Sequence, residues 1–260
     1  MTADTYLENI LQKYSPRDLN SYVQSVWALK TVLKQWANTC YVEVIESGSR
    51  AKGTAISIAS DVDYLVSLTC QCDENNGGLK HIYNSLFEKL GGLYKNVRKQ
   101  NVSIRVKLGL LEVDVTPARL QNSYSTDHWI YVSKGDTRQQ TNISKHIFDI
   151  SNSGITKEIK IIKIWRELNK VDFPSIYLEY LLRDKILVNR SSYYHTLSDN
   201  SFYIFQQLAK ENDNPLFARI VDPANTNNIL SDLLNTREKE IIISRARTAS
   251  SQNFWENIVG

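Results

Sequence analysis

Cysteine is scarce in this chain. Cys40, Cys70 and Cys72 are the only three in 260 residues, an odd count that argues against a disulfide framework and suits a reducing compartment. Cys70 and Cys72 could form half of a zinc site, but no second Cys/His pair at ligand spacing follows, so ordinary thiols are expected. Long apolar runs are lacking too, and none reaches membrane-spanning length. Between Met1 and Tyr14, the charged Asp4, Glu8 and Lys13 break up the apolar residues, which leaves no signal-peptide core. The expectation is a soluble, cytoplasmic protein with no membrane partner. A surplus of one charge is also missing. Lys and Arg total 31 against 28 Asp and Glu, a net +3 that neither requires nor excludes a nucleic-acid partner. Repeats and low-complexity segments are absent.

What remains is a composition typical of globular proteins, 42% apolar and 23% charged, in a length that suits one large domain or two lobes. Ser15-Pro16 reads as a helix start, followed by Leu19, Val23, Val26, Trp27, Leu29, Leu33 and Trp36 at helical spacing, so a helix is expected over 16–38. Tyr41 to Ile45 alternates and reads as a strand, and a small-residue turn follows at 48–54. Asp61 to Leu68 is expected as a central strand. Leu79 to Leu90 has helical spacing and stops at Gly91-Gly92. Val102 to Leu108 and Leu111 to Val115 alternate around Gly109 as a hairpin, with Pro117 ending the second run; His128 to Val132 adds a short strand. Beyond residue 140 the pattern turns helical, over 156–169, 174–188, 201–210 and 227–248, with no further strand expected.

Asp61 and Asp63 are the most informative pair. Side chains alternate along a strand, so the two carboxylates share a face. Like charges repel, and a fold keeps them together only if something positive lies between them. Magnesium is the usual partner for hard oxygen ligands of this kind. Asp114, in the run from Leu111 to Pro117, supplies a third acid from a neighbouring strand. Asp61, Asp63 and Asp114 would then be metal ligands for two Mg2+ ions, or Mn2+, with Asp114 also the candidate general base. Glu112 shares a face with Asp114 and competes for the third place.

These residues also resemble a known family. Gly48-Ser49, Lys52-Gly53-Thr54, Asp61-x-Asp63 and the run Asp114 to Ala118 are similar to the nucleotidyltransferase superfamily that includes DNA polymerase beta. The closer resemblance is to the branch of oligoadenylate synthase, cyclic GMP-AMP synthase and the bacterial CD-NTases of anti-phage defence. Ile161 to Trp165 and Phe173 to Glu179 resemble that branch's helix-loop-helix, Asp222 to Asn228 its Asp-Pro-Ala segment, and Trp255 to Gly260 its closing segment.

The resemblance implies an α/β (α+β) fold: a mixed twisted-sheet lobe over 1–140 with an N-terminal helix, a helical lobe over 141–260 that clamps the nucleotide, and a cleft between them. It implies nucleotide binding by Gly48, Ser49, Lys52, Lys163 and Ser175. Relatives carry an aromatic residue directly after that serine; here Ile176 stands there, and Tyr177 follows as the candidate base contact. The implied reaction joins NTPs, ATP among them, by attack of a ribose hydroxyl on an α-phosphate. Pyrophosphate leaves, and a cyclic or linear oligonucleotide signal is made. Two alternatives stay open: a tRNA CCA-adding or poly(A)-type enzyme with an RNA acceptor, and an inactive nucleotide-binding sensor.

Overall fold

The computed structural model describes residues 1–59, 61–190 and 194–260. In chain order, α1 (Ala3–Lys13), α2 (Val23–Ala37), β1 (Tyr41–Ser47), α3 (Gly48–Ala51), β2 (Val62–Leu68) and α4 (Gly78–Gly91) come first. Next are β3 (Arg98–Lys99), β4 (Ile104–Leu108), β5 (Leu111–Leu120), β6 (His128–Val132) and β7 (Thr137–Thr141). The remainder is α5 (Ile143–Ser151), α6 (Thr156–Leu168), α7 (Ser175–Leu181), α8 (Leu197–Leu208), β8 (Val221–Asp222), β9 (Asn225–Ile229), α9 (Thr236–Ser250) and α10 (Glu256–Val259). They form two compact units. A sheet unit holds Asp18–Lys52 and Asp61–Ile147; a helical unit holds Met1–Arg17, Gly53–Ser60 and Phe148–Gly260.

In the sheet unit seven strands form one mixed sheet, in the order β1-β2-β5-β4-β3, with β6 on β5 and β7 on β6. Only the β2–β5 pairing is parallel. β2 lies inside the sheet because it is apolar on both faces. Val62, Tyr64 and Val66 pack with Leu29 and Leu33 of α2 and Ile82, Leu86 and Leu90 of α4. Leu65 packs on the opposite face with Ala118 and Ile130. Each strand pair therefore buries apolar side chains at about 25 cal/mol per Å².

Several sequence expectations shift. The helix expected from residue 16 begins at Val23, after a 3-10 turn over Asn20–Tyr22. Asp18 accepts from the backbone N–H and the side-chain amide of Asn20, at 2.9 Å each, and that local turn displaces the helical start. Pro117 does not end β5. It pairs in register with Val66 of β2 and falls between the β4 partners, which stop at Val115, and the β6 partners, which start at Ala118. One edge of β5 is unpaired there, so a residue without an N–H is tolerated. β7 was not foreseen because Thr137–Thr141 holds no apolar alternation. The thiol reading also fails for two of the three cysteines. Cys40 and Cys72 form a disulfide with Cα atoms 5.4 Å apart. The Thr69 N–H donates to the Cys40 carbonyl at 2.9 Å, which brings the loop after β2 against the end of α2.

The helical unit is built around α6. Ile159, Ile161, Ile162, Ile164 and Trp165 are all buried, and so are the charged Glu158, Lys163 and Arg166, so this helix is enclosed nearly all round and its buried charges need partners there. α8 starts four residues earlier than expected, at Leu197, because Thr196 and Asp199 form a reciprocal capping box. The helix expected over 227–248 is part strand. The Asp222 carboxylate accepts from the Ala224 N–H at 2.9 Å and from the Asn228 amide at 3.0 Å, fixing the β8–β9 hairpin. α9 then begins after its own cap at Asn235.

The Cys40–Cys72 disulfide spans 32 residues, so Cys72→Ser should lower unfolding free energy by about 4 kcal/mol through the freed denatured chain. Urea denaturation checks this, and an unchanged midpoint under reducing and non-reducing conditions would mean the bond carries no stability.

Candidate active site

Two of the three acids meet through strand pairing. Asp63 on β2 and Asp114 on β5 are register partners in the parallel pair. Asp61 stands one residue before β2, its carboxylate within reach of the same group that holds Asp114. That group is Arg105 on β4, opposite Asp114 in the antiparallel register. Its Nη2 donates to Asp61 Oδ2 at 2.5 Å and to Asp114 Oδ2 at 2.7 Å, and its Nε donates to Asp114 Oδ1 at 2.8 Å. Nη1 donates to Glu112 Oε2 at 2.7 Å. A single guanidinium thus gathers three carboxylates, using the fixed fork of its N–H groups.

The charges respond accordingly. Burial pushes the Asp63 carboxyl up to about 6, with the negative charges of Asp114 and Asp61 adding to the rise and Lys52 and Arg105 opposing it. Arg105 is held more firmly protonated than usual, first by its hydrogen bond to Asp114. Glu112 is held below the ordinary carboxylate range, first by the hydrogen bond from Lys107. Its oxygens lie 3.0 Å from Lys107 and 3.5 Å from Arg98, so cations already surround this competitor for the third acid.

The turn after β1 comes close to the same acids. Gly48 has φ +66°, a left-handed conformation, and a Cβ at that position would overlap the Asp63 carboxylate. Ser49 is half-buried on α3, and Lys52 is buried at its end with its charge acting on Asp63. Gly48, Ser49 and Lys52 therefore belong to the same unit as the three acids.

The other expected nucleotide contacts lie in the helical unit, and two of them have other occupations. Lys163 is 2% exposed and its Nζ donates to Glu179 Oε1 at 2.6 Å and to Thr54 Oγ1 at 2.9 Å; Glu179 is fully buried. Thr54 donates in turn to Glu179 at 2.9 Å, closing a buried triangle. An ammonium this enclosed serves packing and charge balance in this structure. Tyr177 is also enclosed. Its ring packs against Phe173, with centroids 5.5 Å apart, and its hydroxyl donates to the Leu216 carbonyl at 2.7 Å. With no exposed surface, it offers no face to a base. Ser175 is half-buried at the start of α7, and its oxygen accepts from Arg166 at 2.9 Å.

Arg105 is the member of this cluster that sequence reasoning missed. The signal was present: a two-residue turn at Gly109 and Leu110, with Leu108 opposite Leu111, sets Arg105 opposite Asp114. Among the described residues, no group of three or more His, Cys, Asp or Glu side chains is drawn close enough to hold a metal ion. The guanidinium explains this, because it spaces the acids around a fork rather than around a point. The donor set nevertheless fits a hard cation. One cationic group, the Nη2 of Arg105, already donates to oxygens of both Asp61 and Asp114, and Asp63 lies beside Asp114 in the strand register.

No protein-family model matches the chain, and no curated protein sequence matches it. Solved structures do. CdnC of E. coli MS115-1, solved with ATP, shares 18% identity at a TM-score of 0.75 over 100% of this chain and 98% of that one. The CdnE cyclic dinucleotide synthase of Elizabethkingia meningoseptica, solved with GTP and Apcpp, shares 14% identity at a TM-score of 0.69 over 98% of each chain. A cytoplasmic RNA terminal U-transferase shares 11% identity at 0.62, covering 95% of this chain and 92% of that one. At these identities the likeness is one of fold: the chain shares the fold of these structures, with its mixed sheet and C-terminal helices. No helix among the described residues is long and apolar enough to cross a membrane.

Two measurements follow from this geometry. Lys163→Met removes the cation paired with the buried Glu179 carboxylate, so it should cost about 3–5 kcal/mol in urea unfolding, with much of the loss recovered in Lys163→Met/Glu179→Leu. An unchanged midpoint with weakened nucleotide binding would instead return Lys163 to the phosphates. Asp63 has its carboxyl raised from 3.8 to about 6 in the folded state, so its charge opposes folding. That penalty is absent below about pH 4, grows as pH rises, and is complete above about pH 6. Asp63→Asn should therefore stabilise the metal-free protein at pH 8 by on the order of 2 kcal/mol, with the gain vanishing below pH 4. A pH-independent difference would contradict the charge argument.

Proposed function

We propose that this chain is a nucleotidyltransferase that joins NTPs into a cyclic or linear oligonucleotide signal of the kind used in anti-phage defence. The observation that supports the reading is the gathering of Asp61 and Asp114 on the Arg105 guanidinium, with Asp63 beside Asp114 in the strand register and next to the Gly48 turn, in the fold shared with CdnC and CdnE. In the reaction a ribose hydroxyl oxygen attacks the α-phosphorus of an NTP. The new O–P bond forms as the bond to the bridging oxygen breaks, and pyrophosphate departs with that electron pair.

Gly48 allows the turn to lie against Asp63 with no side chain between them. The Ser49 hydroxyl and the Lys52 charge are assigned to the β- and γ-phosphates. When bound at Asp61, Asp63 and Asp114, Mg2+ or Mn2+ supplies charge neutralisation for the triphosphate and a lowered pKa for the attacking hydroxyl. Asp114 is positioned to accept the hydroxyl proton once Arg105 no longer occupies both of its oxygens. Ser175 accepts from Arg166 and keeps its own proton to donate to a phosphate oxygen. Lys163 and Tyr177 are left out of the nucleotide contacts because their polar groups are buried and bonded within the helical unit.

One observation favours a second reading. The fold is also that of an RNA terminal U-transferase, and the same acids would serve transfer to an RNA end. Incubation with all four NTPs and Mg2+, with and without RNA, followed by mass spectrometry of small products, separates the two. New oligonucleotides without RNA are expected, and Asp61→Asn/Asp63→Asn should reduce them at least about 100-fold. Products that need RNA would establish the transferase reading instead, and full turnover in the double variant would remove these acids from the chemistry.

A further inference from the structure

Arg105 bears on how the acid site is loaded. Its side chain is 18% exposed and every arm of the guanidinium is engaged by carboxylates. Nη2 bridges Asp61 and Asp114, so it fills the place a cation shared by those two acids would take. A divalent ion binds carboxylate oxygens at about 2.0–2.1 Å for Mg2+, closer than the 2.5 and 2.7 Å of these N–H···O contacts. A unit charge and a double charge cannot share that space, because both need the same oxygens and repel each other.

The sheet also offers Arg105 an alternative. Nη1 is already on Glu112, two residues before Asp114 on β5 and directed toward the same guanidinium. Releasing Asp61 and Asp114 would leave Arg105 on Glu112, where Lys107 and Arg98 also converge. Arg105 can thus let go of the acids without losing every partner.

We propose that Arg105 is an internal counter-ion that holds Asp61 and Asp114 when no metal is bound and competes with the divalent ion for them. The inference rests on the reading of these acids as metal ligands. Arg105 is a positioning residue in this scheme: it keeps like charges together on β2 and β5, and it weakens metal binding to the empty protein.

The test is direct titration of Mn2+, followed by electron paramagnetic resonance of the free ion, without nucleotide. Wild type, Arg105→Gln, Arg105→Lys and Asp61→Asn/Asp114→Asn are compared, with melting in EDTA and in Mn2+ measured alongside. Arg105→Gln should bind Mn2+ about tenfold more tightly than wild type, and Mn2+ should raise its melting temperature more than that of wild type. Arg105→Lys, which keeps the charge but loses the fork, should fall between the two and guards against misfolding of the glutamine variant. Affinity in both arginine variants equal to or weaker than wild type, with Asp61→Asn/Asp114→Asn still losing the ion, would overturn the competition and leave the metal assignment standing. Equal Mn2+ binding in wild type and Asp61→Asn/Asp114→Asn would overturn both.

Discussion

Repulsion between carboxylates brought together by strand pairing is the constraint around which this sheet is arranged. Parallel register fixes Asp63 beside Asp114, and Asp61 lies one residue from β2. Nothing in the backbone relieves that crowding. The chain answers with Arg105, placed opposite Asp114 by a tight hairpin, and with Lys52 at the end of the turn that Gly48 opens. Apolar residues on the other face of β2 pack under α2 and α4 and prevent the acids from moving apart. A cluster like this is costly to maintain in a fold, which is the physical argument for a chemical purpose.

The helical unit solves a different charge problem. Lys163 and Glu179 are both buried, and Thr54 bonds to each. Pairing in such surroundings returns about what desolvation costs, yet removing either partner is expensive. The triangle ties the segment after Lys52 to α6 and α7 within that unit. Around it, α6 contributes Ile159, Ile161, Ile162, Ile164 and Trp165 to the core, with Trp165 packed edge-on to Phe205.

Much of this was legible in the sequence, for physical reasons. Alternation found β1, β4 and the first half of β5, and an apolar run found β2, which is buried on both faces. The Asp-x-Asp spacing and the glycine turn identified the acids, since few other uses account for charges at the start of an apolar strand. What the sequence does not show has causes as well. Lys163 reads as a solvated helical lysine or a phosphate ligand, and only tertiary packing reveals a buried partner 16 residues away. Tyr177 stands two residues after Ser175, a position that reads as a base contact, whereas its burial depends on Phe173 and Leu216. Pro117 ends a strand by local rule and fails to here because the break in the neighbouring pairings coincides with it. The Cys40–Cys72 bond depends on a fold that brings distant thiols together, which a count of cysteines does not contain.

Arg105 lies between these cases. Its place opposite Asp114 could be read from the hairpin, but its role depends on Asp61 arriving from a third strand end. The most direct test of the central claim is a crystal structure with Mn2+ and a non-hydrolysable ATP analogue, with the ions located by anomalous scattering. The account predicts manganese bound by oxygens of Asp61, Asp63 and Asp114, with the Arg105 guanidinium withdrawn from Asp61. Manganese bound elsewhere, or none at these acids while the nucleotide is held, would contradict it.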